Sequence, residues 1–76
     1  MTARFMAQSQ AALLGLLRCE TVEDEECIVA EARAGFLISV TIEGWGPAAL
    51  PKLRARSWAE MSDLLERSKI IREGEL

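Results

Sequence analysis

The segment from Phe36 to Glu43 constrains this chain more than any other. Phe36, Ile38, Val40 and Ile42 alternate with Leu37, Ser39, Thr41 and Glu43, and four of the eight are β-branched. A period of two with that composition marks a strand with one buried face. Turn-forming pairs bound it on both sides, Ala34-Gly35 before and Gly44-Trp45-Gly46-Pro47 after. One strand cannot stand alone, so the remaining residues must supply partner strands and a layer to cover the apolar face.

Two partners suggest themselves. Cys27 to Arg33 reads either as a strand or as a helix. As a strand, Ile28, Ala30 and Ala32 face one way and Glu31 and Arg33 the other. As a helix, it is capped near Thr21-Val22-Glu23-Asp24 and stopped at Gly35, but Glu25 then falls inside the stripe of Val22, Ile28, Val29 and Ala32. The strand is favoured, paired with Phe36 to Glu43 as a hairpin through Ala34-Gly35. Leu50 to Arg56 reads as a third, shorter strand, with Leu53 and Ala55 inward and Lys52, Arg54 and Arg56 outward. Pro51 suits an edge position, because it donates no ladder hydrogen bond.

Helices are expected at both ends. From Thr2 to about Arg18 the good helix formers predominate, and Phe5, Met6, Leu13, Leu16 and Leu17 share a side. Ala7, Ala11 and Gly15 form a small-residue ridge opposite. The closing helix starts at a capping box, Ser57-Trp58-Ala59-Glu60, and runs to about Ile71. Trp58, Met61, Leu64, Leu65, Ser68 and Ile71 line one face, with Trp58 packed over the end of the sheet, and Asp63 and Arg67 form an i,i+4 pair on the other. The expected fold is α+β: a single two-layer domain over residues 1–76, α-β-β-β-α, with a three-stranded antiparallel meander covered on one face by two helices.

Composition narrows the function. The chain has 76 residues, 12 Asp and Glu against 9 Lys and Arg, no His, and a formal charge of −3. A chain this short builds one thin core. Without histidine, His-based triads and imidazole metal sites are excluded. Cys19 and Cys27 are too few for a structural zinc site, and read as two reduced thiols or as one disulfide. No Gly-rich phosphate cradle is followed by a Lys at the needed spacing, and the acidic run lacks the pattern of a calcium loop. The expectation is a protein that is not an enzyme, with no metal and no cofactor. The longest apolar run, Ala11 to Leu17, has seven residues against the roughly twenty a membrane span requires. A cytoplasmic protein without membrane contact is expected.

Two features point to a partner. Glu20, Glu23, Asp24, Glu25 and Glu26 place five carboxylates in seven positions, a spacing suited to imitating a short run of phosphates before a basic groove. Trp45 sits between two glycines in a loop and reads either as a lid over the small core or as an exposed anchor, since Trp is enriched at interface hot spots. These six residues are the candidate partner-binding set, and the partner they fit is a larger basic protein or nucleoprotein complex.

The element order is similar to that of the double-stranded-RNA-binding domain. That family places bases at the start of its last helix, where this chain has Trp58-Ala59-Glu60-Met61-Ser62-Asp63. Direct nucleic-acid binding is therefore not expected. In size, acidity, and the meander ending in a capped helix at Lys52-Leu53-Arg54-Ala55-Arg56-Ser57-Trp58-Ala59-Glu60, the chain resembles the small phage-encoded anti-CRISPR proteins. The resemblance implies an inhibitor that blocks a nucleic-acid-guided effector by direct binding, and it carries over no residue roles. Cys27 to Ile71 is similar to the hairpin, third strand and helix of HicB-type antitoxins, without their Pro-Gly-Cys-like turn. An antitoxin is thus one alternative. A homodimeric accessory subunit, joined through the Ala7/Ala11/Gly15 ridge or a strand edge, is the other.

Overall fold

Residues 6–75 are described by a computed structural model, in which seven strands and two helices surround one core. In chain order these are β1 (Met6–Ala7), α1 (Gln8–Leu13), β2 (Leu17–Val22), β3 (Cys27–Ala32), β4 (Phe36–Ile42), β5 (Gly46–Leu50), β6 (Lys52–Ala55), α2 (Trp58–Glu66) and β7 (Ser68–Arg72). A 3-10 turn at Glu23–Glu25 joins β2 to β3. Every strand pairing is antiparallel: one sheet has the order β1-β7-β4-β5, the other β2-β3-β6. The class is α+β, as the sequence implies.

The core forms where the two sheets face each other. Ile38 and Val40 from β4 and Ile70 from β7 meet Ile28 and Ala30 from β3 and Leu53 and Ala55 from β6, and Met61 of α2 packs among them. Ile38, Met61, Ile70 and Val40 are its largest fully buried side chains. Strands β2, β3 and β6 each alternate as a two-faced strand must. Leu17 and Cys19, Ala30 and Ala32, and Leu53 and Ala55 turn inward, while Arg18, Glu20, Glu31, Lys52 and Arg54 point out. Val29, at the centre of the outer face, is nonetheless buried, since its cross-strand neighbours are Glu20 and Arg54 and their stems flank it.

Besides the crossings that α1 and α2 make, the chain changes sheets directly at two places. At Ala34-Gly35 it turns with Gly35 at φ 93° and Phe36 N–H donating to the Arg33 carbonyl at 2.9 Å. The turn lies where the sequence puts it, but it does not close a hairpin: β3 pairs with β2 and β6, and β4 with β5 and β7. The second change is at Pro51, between β5 and β6, whose carbonyl accepts from Ala32 N–H at 2.9 Å. Proline fits there because the corner needs an acceptor and no donor.

Three expectations about elements change. The single three-stranded meander is replaced by two sheets, with Gly46–Leu50 and Ser68–Arg72 as added strands. The long first helix shrinks to Gln8–Leu13; its expected start at Thr2, and Phe5, lie outside the described residues. Gly15, at φ 73°, turns the chain out of α1 and into β2. The apolar side of that helix is also reversed: Ala11 is fully buried, while Leu13 is 88% exposed. The ridge offered for dimer contact is therefore, at Ala11, part of the core. The last helix starts at Ser57 as expected but stops at Glu66, where the Ser68 hydroxyl donates to the Leu65 carbonyl at 2.8 Å and β7 begins. Ile70, a stray apolar residue on a helical reading, is 1% exposed in β7. Trp58 is 57% exposed and borders Thr21, Cys27 and Ile28 at the end of β2 and β3, so it covers that end of the sheet only in part.

These burials set an expectation for stability. Ile38→Ala removes a fully buried side chain and should destabilise the fold by about 2–5 kcal/mol, while Leu13→Ala should stay within about 0.5 kcal/mol of wild type. Urea unfolding of both variants checks the reversal of the α1 face.

Candidate interaction surface

Four of the six candidate residues occupy one structure, the tip of the β2–β3 hairpin. Val22 and Cys27 are the last paired residues, and Glu23, Asp24, Glu25 and Glu26 form the connection. Glu26 N–H donates to the Glu23 carbonyl at 3.1 Å, and Glu26 takes the left-handed conformation at φ 51°. It is the one non-glycine residue at positive φ among those described. All four carboxylates are exposed. Like charges this close repel, and full hydration keeps them tolerable.

One of the four has a cationic partner among the described residues. The Val29–Arg54 register of β3 and β6 brings Arg54 to the outer face beside the tip, where its guanidinium lies 3.7 Å from the Glu25 carboxylate. Both side chains are about half exposed, so the pair contributes no more than about 1 kcal/mol. The Cys27 thiol donates to the other Glu25 oxygen at 3.7 Å.

The start of α2 forms the opposite wall. Ser57 caps the helix, its hydroxyl accepting from Glu60 N–H at 3.1 Å, and the Glu60 carboxylate accepts from Arg56 N–H at 3.1 Å. The second bond reaches one residue further back than in the standard capping box, and it fixes the backbone that carries Arg56. A shallow groove results, lined by Glu25, Glu26, Cys27, Arg54, Arg56 and Glu60. Three acids and two bases make it mixed in charge, so the strongly negative surface is the tip itself. Arg54 and Arg56 were legible in the sequence as outward-pointing bases, but only the β3–β6 register shows that they border the acidic turn.

Glu20 and Trp45 stand apart from the tip. Glu20 lies within β2, exposed on the outer face opposite Val29. Trp45 is 86% exposed in the β4–β5 turn, where its N–H donates to the Ile42 carbonyl at 2.9 Å. Gly44 and Gly46 flank it at φ 86° and 79°, a backbone other residues take only with strain. The run Gly46 to Ala55 starts beside Trp45 and ends opposite Ile28, close to the acidic tip. Trp45 and the acidic tip therefore lie on turns of different sheets.

The two thiols are free and lie on opposite faces, Cys19 inward with Leu17 and Cys27 outward with Glu20 and Val22, so no disulfide joins them. Burial pushes the Cys19 thiol above its ordinary value of 9.0. Among the described residues no three Cys, Asp or Glu side chains converge as metal ligands, and no helix is long and apolar enough to cross a membrane. Compared with family models, curated proteins and solved structures, the chain matches none.

Two outcomes follow from this geometry. Glu26→Val should destabilise by about 1–2 kcal/mol through left-handed strain, and Glu26→Gly should equal or exceed wild-type stability, both read by thermal or urea unfolding. Because the Cys19 thiol binds its proton more tightly folded than unfolded, stability should fall as pH rises past about 9. Cys19→Ala should flatten that alkaline decline in a series of unfolding curves.

Proposed function

We propose that this chain is a non-catalytic interaction protein that binds a larger, basic, nucleic-acid-handling protein through the tip of the β2–β3 hairpin and blocks it by occupying its anion-binding groove. The observation that supports this reading most is the tip itself. Four successive carboxylates, Glu23 to Glu26, project from a hairpin end whose backbone is fixed by the Glu26–Glu23 hydrogen bond, and one of them, Glu25, is ion-paired among the described residues. A rigid, solvated cluster of this kind attracts an Arg- or Lys-lined groove at long range and accelerates association. Trp45, exposed on a separate turn, offers a second, apolar anchor for a partner large enough to span both points. An inhibitor of the kind the small anti-CRISPR proteins represent needs no more than this, and a cytoplasmic site of action accords with it.

Charge reversal tests the reading. The variant with Glu23, Asp24, Glu25 and Glu26 all changed to Lys should lose a set of basic nucleic-acid-binding proteins that the wild-type chain captures from its host lysate at about 50 mM salt. Wild-type capture of that set should also weaken steeply by about 300 mM. Identical capture by wild type and variant, independent of salt, would exclude the tip as the binding element.

A further inference from the structure

The β2 strand ends its sheet, and its outer edge has a definite hydrogen-bonding pattern. Arg33 N–H donates to the Leu16 carbonyl at 2.9 Å, which sets the phase of the β2–β3 ladder. Pairs 18–31, 20–29 and 22–27 exchange bonds, so the backbone groups of Arg18, Glu20 and Val22 point at β3. The β3–β6 ladder agrees: Ala32 N–H donates to the Pro51 carbonyl, leaving the odd-numbered residues of β3 for β2. The N–H and C=O groups of Leu17, Cys19 and Thr21 therefore face away from the sheet, and no strand among the described residues pairs with them. An edge of this kind is a template for another strand.

The side chains of this edge select which strand. On the outer face, Arg18 and Glu20 are exposed and have opposite charge two positions apart. If a second copy of β2 lies antiparallel with Cys19 facing Cys19 of that copy, Arg18 of each chain stands opposite Glu20 of the other. In that register Leu17 and Thr21 also face one another across the seam. Three pairs whose backbone groups point away from β3, 17–21, 19–19 and 21–17, then exchange two bonds each. Arg18 and Glu20 occupy the closer, non-hydrogen-bonded positions, where side chains are in contact. Sliding by one hydrogen-bonding step in either direction places Arg18 against Arg18 or Glu20 against Glu20. Charges on an edge strand usually oppose pairing, and here they oppose both neighbouring registers while favouring the one centred on Cys19. Arg18 already lies 3.4 Å from Glu31 within its own chain, and its remaining N–H groups are free to meet the Glu20 carboxylate of the second copy.

We infer that the β2 edge is a two-fold interface with a second copy of this chain, joining the two three-stranded sheets into one of six strands through Arg18–Glu20 cross-strand pairs. The interface stands apart from the hairpin tip and does not depend on what the tip binds.

Sedimentation equilibrium of the full chain tests it. Wild type should show a reversible monomer–dimer equilibrium. Arg18→Glu and Glu20→Arg each place like charges across the seam twice, and each should raise the dissociation constant by about tenfold or more. An equimolar mixture of the two variants restores opposite charges at both positions, so it should dimerise as a heterodimer with near wild-type affinity. Circular dichroism of each variant should match wild type, because both positions are exposed. A wild-type chain that stays monomeric up to about 1 mM would overturn the inference. So would single variants that dimerise as wild type does, or a mixture that dimerises no better than its components.

Discussion

The fold depends on the corner at Pro51. A single run from Gly46 to Ala55 belongs to both sheets, pairing with β4 before the proline and with β3 after it, and the Ala32–Pro51 hydrogen bond fixes the point of change. That corner brings two small sheets face to face, so that Ile38 and Val40 from one close on Ala30 and Leu53 from the other. Each sheet has an apolar face, and packing the two together takes both faces out of water. For a chain of 76 residues, bending one strand through both layers gains a shared core without a long connection.

The same arrangement explains why the tip of the β2–β3 hairpin stands exposed while its strands line the core. β3 is central in its sheet and is held by β2 on one side and β6 on the other, while β2 ends the sheet. The hairpin thus carries both a charged tip and an unpaired edge on a well-anchored base. Beside the tip, the capped start of α2 and the Glu25–Arg54 pair border the groove, and Glu23 and Asp24 are exposed to solvent.

Much of this was legible in the sequence where local chemistry and tertiary packing agree. The alternation of Phe36 to Ile42, the inward Leu53 and Ala55 of β6, the strand reading of Cys27 to Ala32, and the Ser57 cap all stand in the structure. The failures share a cause. Leu13 to Arg18 is rich in good helix formers, and their propensity outweighs the one stop signal, Gly15, until the core claims Leu16 and Leu17 for another element. Ser68 to Arg72 fits a helical stripe as well as it fits a strand, and the adjacent Ile70 and Ile71 were the available hint of β7. That Trp45 and the acidic residues end up on turns of different sheets was hidden for a different reason: it follows from strand pairing, which no local pattern encodes.

Whether the β2–β3 hairpin has one bonded and one free side is read by amide hydrogen exchange followed by NMR in dilute solution. The ladder phase requires the amides of Arg18 and Glu20 to be protected and those of Cys19 and Thr21 to exchange quickly. Equal protection along the whole strand, or the opposite alternation, would contradict the arrangement of β2 on which both proposed contacts are built.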